Sequence, residues 1–378
     1  MRIEPPVSPE RLAAVRAPFL ATGAEVVDAP ILQPLGLLVD LAGEALRARL
    51  FTVQGPAGDE ACLRPDFTVP VARLHLDRRQ GSGRYVYEGK VFRASPDASD
   101  RPEEFLQIGL EQFDTGEASA EADVEIVSLA WRASSAGGRK DLTLWLGDVG
   151  LFAAFVQSLS LSPSLAARIT RAAARPRLLQ AELARAGGAS TEPADTGLAA
   201  LLATLSPVDA GAMLEEVWTL AGIEPVGGRS PTEIAQRLIG RAEAARAPTL
   251  TTGQAQAISE FLAISATPDQ ALSQVSKLGG ANANALRDKV AEWRAKLGAM
   301  AEAGLPVDQA WFVTALGHAF DYYDGLTFEV RSSSLGNNLP LAVGGRYDGL
   351  LVRMGGPPQS RAVGAMVRPG RIVPEVSR

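Results

Sequence analysis

RYVYEGKVFRASPDASDRPEEFLQIGLEQFD, residues 84–114, carries two alternating runs of strand length, RYVYEGKVFRA and EEFLQIGLEQFD, joined by the loop-forming ASPDASDRP. Alternation with period two on both sides of a Pro/Asp/Ser connection predicts an antiparallel pair. On the second run Phe105, Gln107, Gly109 and Glu111 fall on one face, and Leu106, Ile108 and Leu110 on the other. A glutamine and a glutamate flanking a glycine describe a cleared, polar floor. Arg93, at the end of the first run, stands where it could reach over that floor. Such pairing, with helices on its flanks, points to an α+β sheet and away from the regular strand–helix alternation of a doubly wound fold.

Upstream, LFTVQ and ACLRP around GPAGDE read as a hairpin that runs into a short helix beginning after Thr68. Arg64, Asp66 and Thr68 sit at this strand-to-helix junction, where polar side chains and free backbone N–H groups can face a ligand together. Taken singly, each reads first as a cap or a surface charge. Farther back, Ser8 and Pro9 open a helix whose apolar residues Leu12, Val15, Phe19 and Leu20 keep helical spacing until Gly23. AEVVDAPILQP then reads as a short β-type run, and LLVDLAGEALRARLF returns to the helical period.

Downstream, Ser119 to Ala133 has helical composition, and DLTLWLGDVG followed by LFAAFVQSL gives a strand and a helix. Near Ser160 the composition turns to Ala, Leu, Arg and Gln at helical spacing with Pro/Gly/Ser breaks and no convincing strand. The expected organisation is therefore one domain from residues 1–160 and 305–378, with a helical insertion over 161–304. Strand character returns in AWFVTALG (310–317), LTFEVRSS, LPLAVGG and AVGAMVRP.

Within that last part, GHAFDYYDGLTFEV (317–330) and GGRYDGLL (344–351) gather aromatic hydroxyls, carboxylates, one of the two histidines and a glycine pair against short apolar runs. This density reads as a pocket wall, although the same residues also suit a polar strand edge.

The 378 residues are 46% hydrophobic and 21% charged, ordinary for a soluble globular chain. A net charge of -6 argues against binding nucleic acid through a general basic field. The single cysteine, Cys62, excludes an intrachain disulfide and the cysteine-rich zinc signatures, and suits a reducing cytoplasm. The N-terminal MRIEPPVSPERLAAVRAPFL lacks the apolar core of a signal peptide, and no later window is long and apolar enough to span a membrane.

Six patches fall in one order: LRPDFTVPVAR (63–73), RYVYEGKVFR (84–93), EEFLQIGLEQFD (103–114), FDYYDGLTFEV (320–330), GGRYDGL (344–350) and VGAMVRPGRI (363–372). The series resembles the histidyl-tRNA synthetase family over nearly the whole chain apart from the helical middle. That resemblance implies an α+β, class II aminoacyl-tRNA synthetase-like antiparallel sheet flanked by helices. It also implies an ATP and histidine pocket on the sheet face, and a dimer built partly from the N-terminal helix and strand. On the amino-acid side the matching positions are kept: Asp66, Thr68, Arg93, Gln107, Glu111, Tyr322, Tyr323 and Tyr347. By resemblance, Glu111 would accept a hydrogen bond from an imidazole, with Tyr322, Tyr323 and Gln107 fixing its orientation. Asp66 and Thr68 would hold an α-amino group, and Arg93 a carboxylate.

On the ATP side the pattern departs. His318 stands where the family has an arginine, Ser95 replaces an acid, and Glu103 replaces an arginine. The turn before Arg371 has become Val367-Arg368-Pro369-Gly370. Losing a fixed positive charge from a phosphoryl site costs on the order of 10³ to 10⁵ in rate, so adenylation is not expected. The family's C-terminal anticodon-binding domain is also unmatched.

This combination is similar to the ATP phosphoribosyltransferase regulatory subunits, synthetase paralogues acting with a short-form catalytic subunit in the first step of histidine biosynthesis. The resemblance implies a dimer within a hetero-octamer, required for full activity of the catalytic subunit and conveying feedback inhibition by L-histidine. It implies no catalytic residue, cofactor or metal of its own and no nucleic-acid or membrane partner. The alternative reading is a truncated histidyl-tRNA synthetase or stand-alone amino-acid adenylating enzyme.

Overall fold

The computed structural model describes the chain apart from residues 1, 5, 43–46, 56–57, 59, 96–100, 174, 188–200, 203, 222–229, 233, 236–247, 281–282, 318–321, 337–338 and 373–378. His318, singled out above, and the middle of the 94–102 loop lie outside the described residues.

In chain order the strands are β1 (Glu25–Val26), β2 (Leu32–Pro34), β3 (Thr52–Gln54), β4 (Glu60–Leu63), β5 (Gly83–Phe92) and β6 (Glu104–Thr115). They continue with β7 (Leu142–Asp148), β8 (Ser265–Ala266), β9 (Trp311–Val313), β10 (Leu326–Ser332), β11 (Ala342–Arg346) and β12 (Ser360–Val367). The helices are α1 (Pro9–Leu20), α2 (Leu35–Ala42), α3 (Thr68–Asp77), α4 (Ala120–Ser135), α5 (Val149–Ser158), α6 (Pro163–Ala173) and α7 (Pro176–Ala184). Then come α8 (Pro207–Ala221), α9 (Thr252–Leu262), α10 (Pro268–Leu278), α11 (Asn284–Glu302), α12 (Asp348–Arg353) and α13 (Pro369–Ile372).

A nine-stranded sheet runs β1-β5-β6-β12-β11-β10-β7-β9-β8, antiparallel except where β1 joins β5 and β7 joins β9. The expected β5–β6 pair is formed, with Gly89 opposite Gln107, Tyr87 opposite Gly109 and Tyr85 opposite Glu111. The period-two reading of β6 therefore assigns its faces as drawn from sequence: Phe105, Gln107 and Glu111 line one cavity, while Ile108 and Leu110 are fully buried. The expected 50–63 hairpin also forms, but β2 adds to it, making a separate sheet β2-β4-β3. AEVVDAPILQP is thus divided: β1 edges the large sheet and β2 the small one.

Local capping explains several starts. Ser119 accepts from the Ala122 N–H at 3.2 Å and Asp148 from the Leu151 N–H at 3.1 Å, opening α4 and α5. Ser8 stands before α1 in extended backbone, but its side chain makes no cap bond, leaving Pro9 as the start signal.

One core joins α2 and α3 to Tyr85, Tyr87, Phe105 and Phe113 on β5 and β6 and to Tyr347 and Leu350, beneath the end of the sheet that bears the cavity.

The chain divides into two compact units, residues 1–159 with 260–378, and residues 160–259. The described secondary structure of the second unit is helical, and Leu202, Ala210, Leu214 and Ala235 form an apolar cluster within it. The expected insertion, 161–304, reaches farther than this unit: β8, α10 and α11 belong with the sheet. β8 pairs with β9 at the sheet edge. Trp293 of α11 donates to Asp148 at 2.6 Å and lies edge-on to Phe312, ring centres 4.9 Å apart. Lys296 is bonded to Asp123 at 2.6 Å, both buried. A two-residue strand is too short for a periodicity argument, and α11 has the same Ala/Arg-rich composition as the insertion proper. Among the described residues no helix is long and apolar enough to cross a membrane.

Candidate functional site

The junction after β4, the face of β6, the Tyr322–Tyr323 turn before β10 and the small residues of β12 converge on a cavity of about 350 Å³. Its size lies in the range of small-molecule sites. Asp66, Thr68, Arg93, Gln107, Glu111, Tyr322 and Tyr323 all line it. Tyr347 stands behind Glu111 and donates its hydroxyl to Oε2.

Glu111 is 1% exposed and held by three hydroxyls. Thr68 donates to Oε1 at 2.9 Å, Tyr87 to the same oxygen at 3.2 Å, and Tyr347 to the other. Burial pushes its carboxyl up to about 7, against the pull of the Tyr347 and Thr68 hydroxyls. Thr68 therefore spends its proton on Glu111, leaving only acceptor capacity for the ammonium role expected of it. Tyr87, not anticipated as a site residue, could have been inferred from its position opposite Gly109 on the paired strand.

Two glycines make room for this carboxylate. A Cβ on Gly364, opposite Glu111 on β12, would overlap Glu111 Oε2. A Cβ on Gly109 would overlap the Tyr87 hydroxyl and the Ala365 carbonyl. In GGRYDG, a Cβ on Gly345 would lie 2.8 Å from the Tyr323 ring.

Gln107 is fully buried, and neither its Oε1 nor its Nε2 has a hydrogen-bond partner. Asp66 is 5% exposed with Oδ1 also unpartnered. Burial raises the Asp66 carboxyl, while the Arg93 guanidinium, the Val69 and Thr68 N–H groups and the Tyr322 hydroxyl draw it back. An orphaned buried amide is costly, so this donor–acceptor pair lining the cavity suits a polar ligand. Tyr322, Tyr323 and Tyr347 close that end, with ring centres 4.9, 5.6 and 6.1 Å apart.

The other end is basic. Arg93 donates from Nε to the Pro65 carbonyl at 2.7 Å, and its guanidinium is destabilised by burial and supported by Asp66. Arg368 is ion-paired with Glu4 at 2.7 Å and lies over the Phe105 ring at 3.6 Å. Burial lowers it to about 10, and lowers Arg371 to about 9 with Arg368 adding repulsion. The turn that departs from the family pattern thus brings in a charge and covers Phe105. Glu103, another departure, is not among the residues lining the cavity and accepts from the Arg2 N–H at 3.0 Å. Arg331, missed from sequence, lines the cavity, paired with Glu329 at 2.6 Å and stacked on Trp145 at 3.9 Å.

Arg64 of the junction is structural. It donates to the Ala29 and Lys90 carbonyls and lies 4.1 Å over Phe67. His75 is core, 3.1 Å from the Tyr85 hydroxyl. Chemically, the cavity offers an acceptor for an N–H, an amide of both polarities, a carboxylate for a cation and guanidinium groups for an anion. These are the complements of a small zwitterion with a polar ring.

Comparison with known proteins gives the family and the fold. The family model described as histidyl-tRNA synthetase matches residues 10–220 and 234–372. A protein of Brucella ovis named ATP phosphoribosyltransferase regulatory subunit is 33% identical over 344 residues, 90% of each chain. One of the same name from Brucella melitensis biotype 1 matches equally. Among solved structures, an ATP phosphoribosyltransferase regulatory subunit/histidyl-tRNA synthetase from Bacillus halodurans superposes with TM-score 0.63 at 21% identity, covering 96% of this chain and 77% of that one. A histidine–tRNA ligase subunit from Alicyclobacillus acidocaldarius superposes at 0.58 with 22% identity, covering 98% and 94%. These two confirm the class II fold.

Proposed function

The chain belongs to the histidyl-tRNA synthetase family and, within it, to the ATP phosphoribosyltransferase regulatory subunits, and from that premise we propose that its cavity binds free L-histidine to regulate a short-form catalytic subunit. The observation that carries this is Gln107, buried with both amide atoms unpartnered beside Glu111. The imidazole donates to Glu111, and the Gln107 amide and the tyrosine ring wall orient it. Asp66 holds the ammonium, with Thr68 as an acceptor, and Arg93 faces the carboxylate.

In this reading the chain does no chemistry. An adenylating enzyme needs a nucleotide beside the amino acid, and Arg368 already lies on the Phe105 ring. The chain acts as a dimer within a cytoplasmic hetero-octamer and shifts its catalytic partner between active and inhibited arrangements. Coupling is then reciprocal: whatever histidine does to substrate affinity, substrate does to histidine affinity by the same factor.

Calorimetric titration of the assembled complex with L-histidine tests the binding, and histidine-dependent exchange of pyrophosphate into ATP tests the absence of chemistry. Saturable binding without exchange is expected. No binding removes the histidine reading, and robust exchange makes the chain an adenylating enzyme.

A further inference from the structure

The three tyrosines of the wall come from two separate pieces of chain: Tyr322 and Tyr323 precede β10, while Tyr347 follows β11. Beyond the β10–β11 pairing, the Asp324 side chain links these pieces at their ends. Asp324 accepts from the Asp348 N–H through Oδ1 at 3.0 Å and from the Gly349 N–H through Oδ2 at 2.6 Å. Its own N–H donates to the Arg346 carbonyl at 3.0 Å. Tyr347, at the cap position of α12, makes no side-chain cap bond, so the cap is delivered by Asp324 from the other piece.

Five further contacts leave this clasp little play. The Arg346 guanidinium holds Asp123 at 2.7 Å, Asp348 at 3.1 Å and the Ser119 carbonyl at 3.1 Å, which ties the turn to α4. The Asp348 carboxylate also accepts from the Ala362 N–H at 2.8 Å, and the Tyr347 N–H donates to the Ala362 carbonyl at 2.8 Å. A Cβ on Gly349 would lie 3.0 Å from Asp324 Oδ2, and one on Gly325 3.2 Å from the Arg346 side chain. The glycines after Asp324 and Asp348 thus permit the close approach.

We infer that Asp324 is a positioning residue for the ligand pocket: by gripping the Asp348 and Gly349 N–H groups it sets the gap between the Tyr322–Tyr323 wall and the Tyr347–Glu111 pair, and so the fit of the ligand ring. This rests on the histidine reading above for its ligand, but the clasp itself is a property of the apo chain. Asp324 is exposed and does not line the cavity; it acts only through the tyrosines it holds.

The experiment compares the wild-type chain with Asp324→Asn and Asp324→Ala. Each is titrated with L-histidine and with 1-methyl-L-histidine, while hydrogen exchange is followed without ligand on the segment 347–351. A side chain that sets the gap changes selectivity; one that merely stabilises weakens both ligands alike. Asp324→Ala is expected to raise the histidine Kd about tenfold or more, to narrow the preference for histidine over its methylated form, and to speed exchange. Asp324→Asn, which keeps one acceptor oxygen, should fall between and covers the case of an alanine variant that does not fold. Unchanged selectivity, or weakening equal for both ligands, overturns the inference. If wild-type chain binds no histidine, the functional reading fails, and exchange alone decides the clasp: faster exchange in the variants supports it, and unchanged exchange overturns it.

Discussion

Glu111 is where the pocket's electrostatics concentrate, and its titration gives a signed prediction. In the unfolded chain a glutamate titrates near 4.5, and in the folded chain burial holds this one at about 7. Between those values the folded state keeps a proton that the unfolded state has released, so stability falls as pH rises through the window. The full difference corresponds to on the order of 3 kcal/mol. Thermal melts of wild type and Glu111→Gln at pH 5 and pH 8 check it: the variant should gain on wild type at pH 8, with the gap closing at pH 5. A pH-independent gap would mean the carboxyl titrates normally. Gly364→Ala forces a methyl into the Glu111 carboxylate, and such overpacking costs about 1–3 kcal/mol, readable as a lowered melting temperature together with loss of histidine binding. At this scale sequence showed which types of group were present and, through period two on β6, that Gln107 and Glu111 share a face. It did not show that Thr68 and Tyr347 are engaged by Glu111, nor that Arg331 reaches the cavity from β10. Those facts depend on which strands neighbour one another across the sheet, and no local pattern encodes that.

The elements divide by how their signal is carried. β5 and β6 were legible because alternation runs over ten residues or more, and α4 because its composition is that of a helix. β8, two residues long, was invisible, and β1, equally short, was read only as part of a β-type run, because the place of each in the sheet is set by pairing alone. α11 was assigned to the insertion because its composition matches it, yet Trp293, fully buried, belongs to the core of the sheet domain. Trp293→Ala should therefore cost about 3–5 kcal/mol, measured by denaturant unfolding. Excision of residues 160–259 with a flexible join should leave a cooperative melt, whereas excision of 161–304 should abolish it by stripping α10, α11 and β8 from the sheet. Equal behaviour of the two deletions would contradict the unit boundaries.

At the scale of the whole molecule, the class II sheet, the cavity on its face and the family are one consistent picture, and six short patches in register carried most of it. On the ATP side the sequence showed the departures and not their surroundings. It did not show that Arg368 is a buried cation covering Phe105, or that Glu103 is bonded to the Arg2 N–H. The cavity lies in a chain of a regulatory-subunit family, and the proposed histidine site is tested with the catalytic subunit present. The most direct test is the histidine inhibition curve of ATP phosphoribosyltransferase activity, with the catalytic subunit reconstituted on wild-type chain or on Glu111→Gln. Both chains should support activity, and the variant should shift half-inhibition to at least about tenfold higher histidine, the loss of roughly 1.4 kcal/mol or more of a charged hydrogen bond. Superimposable inhibition curves would place histidine's action outside this cavity and contradict the account.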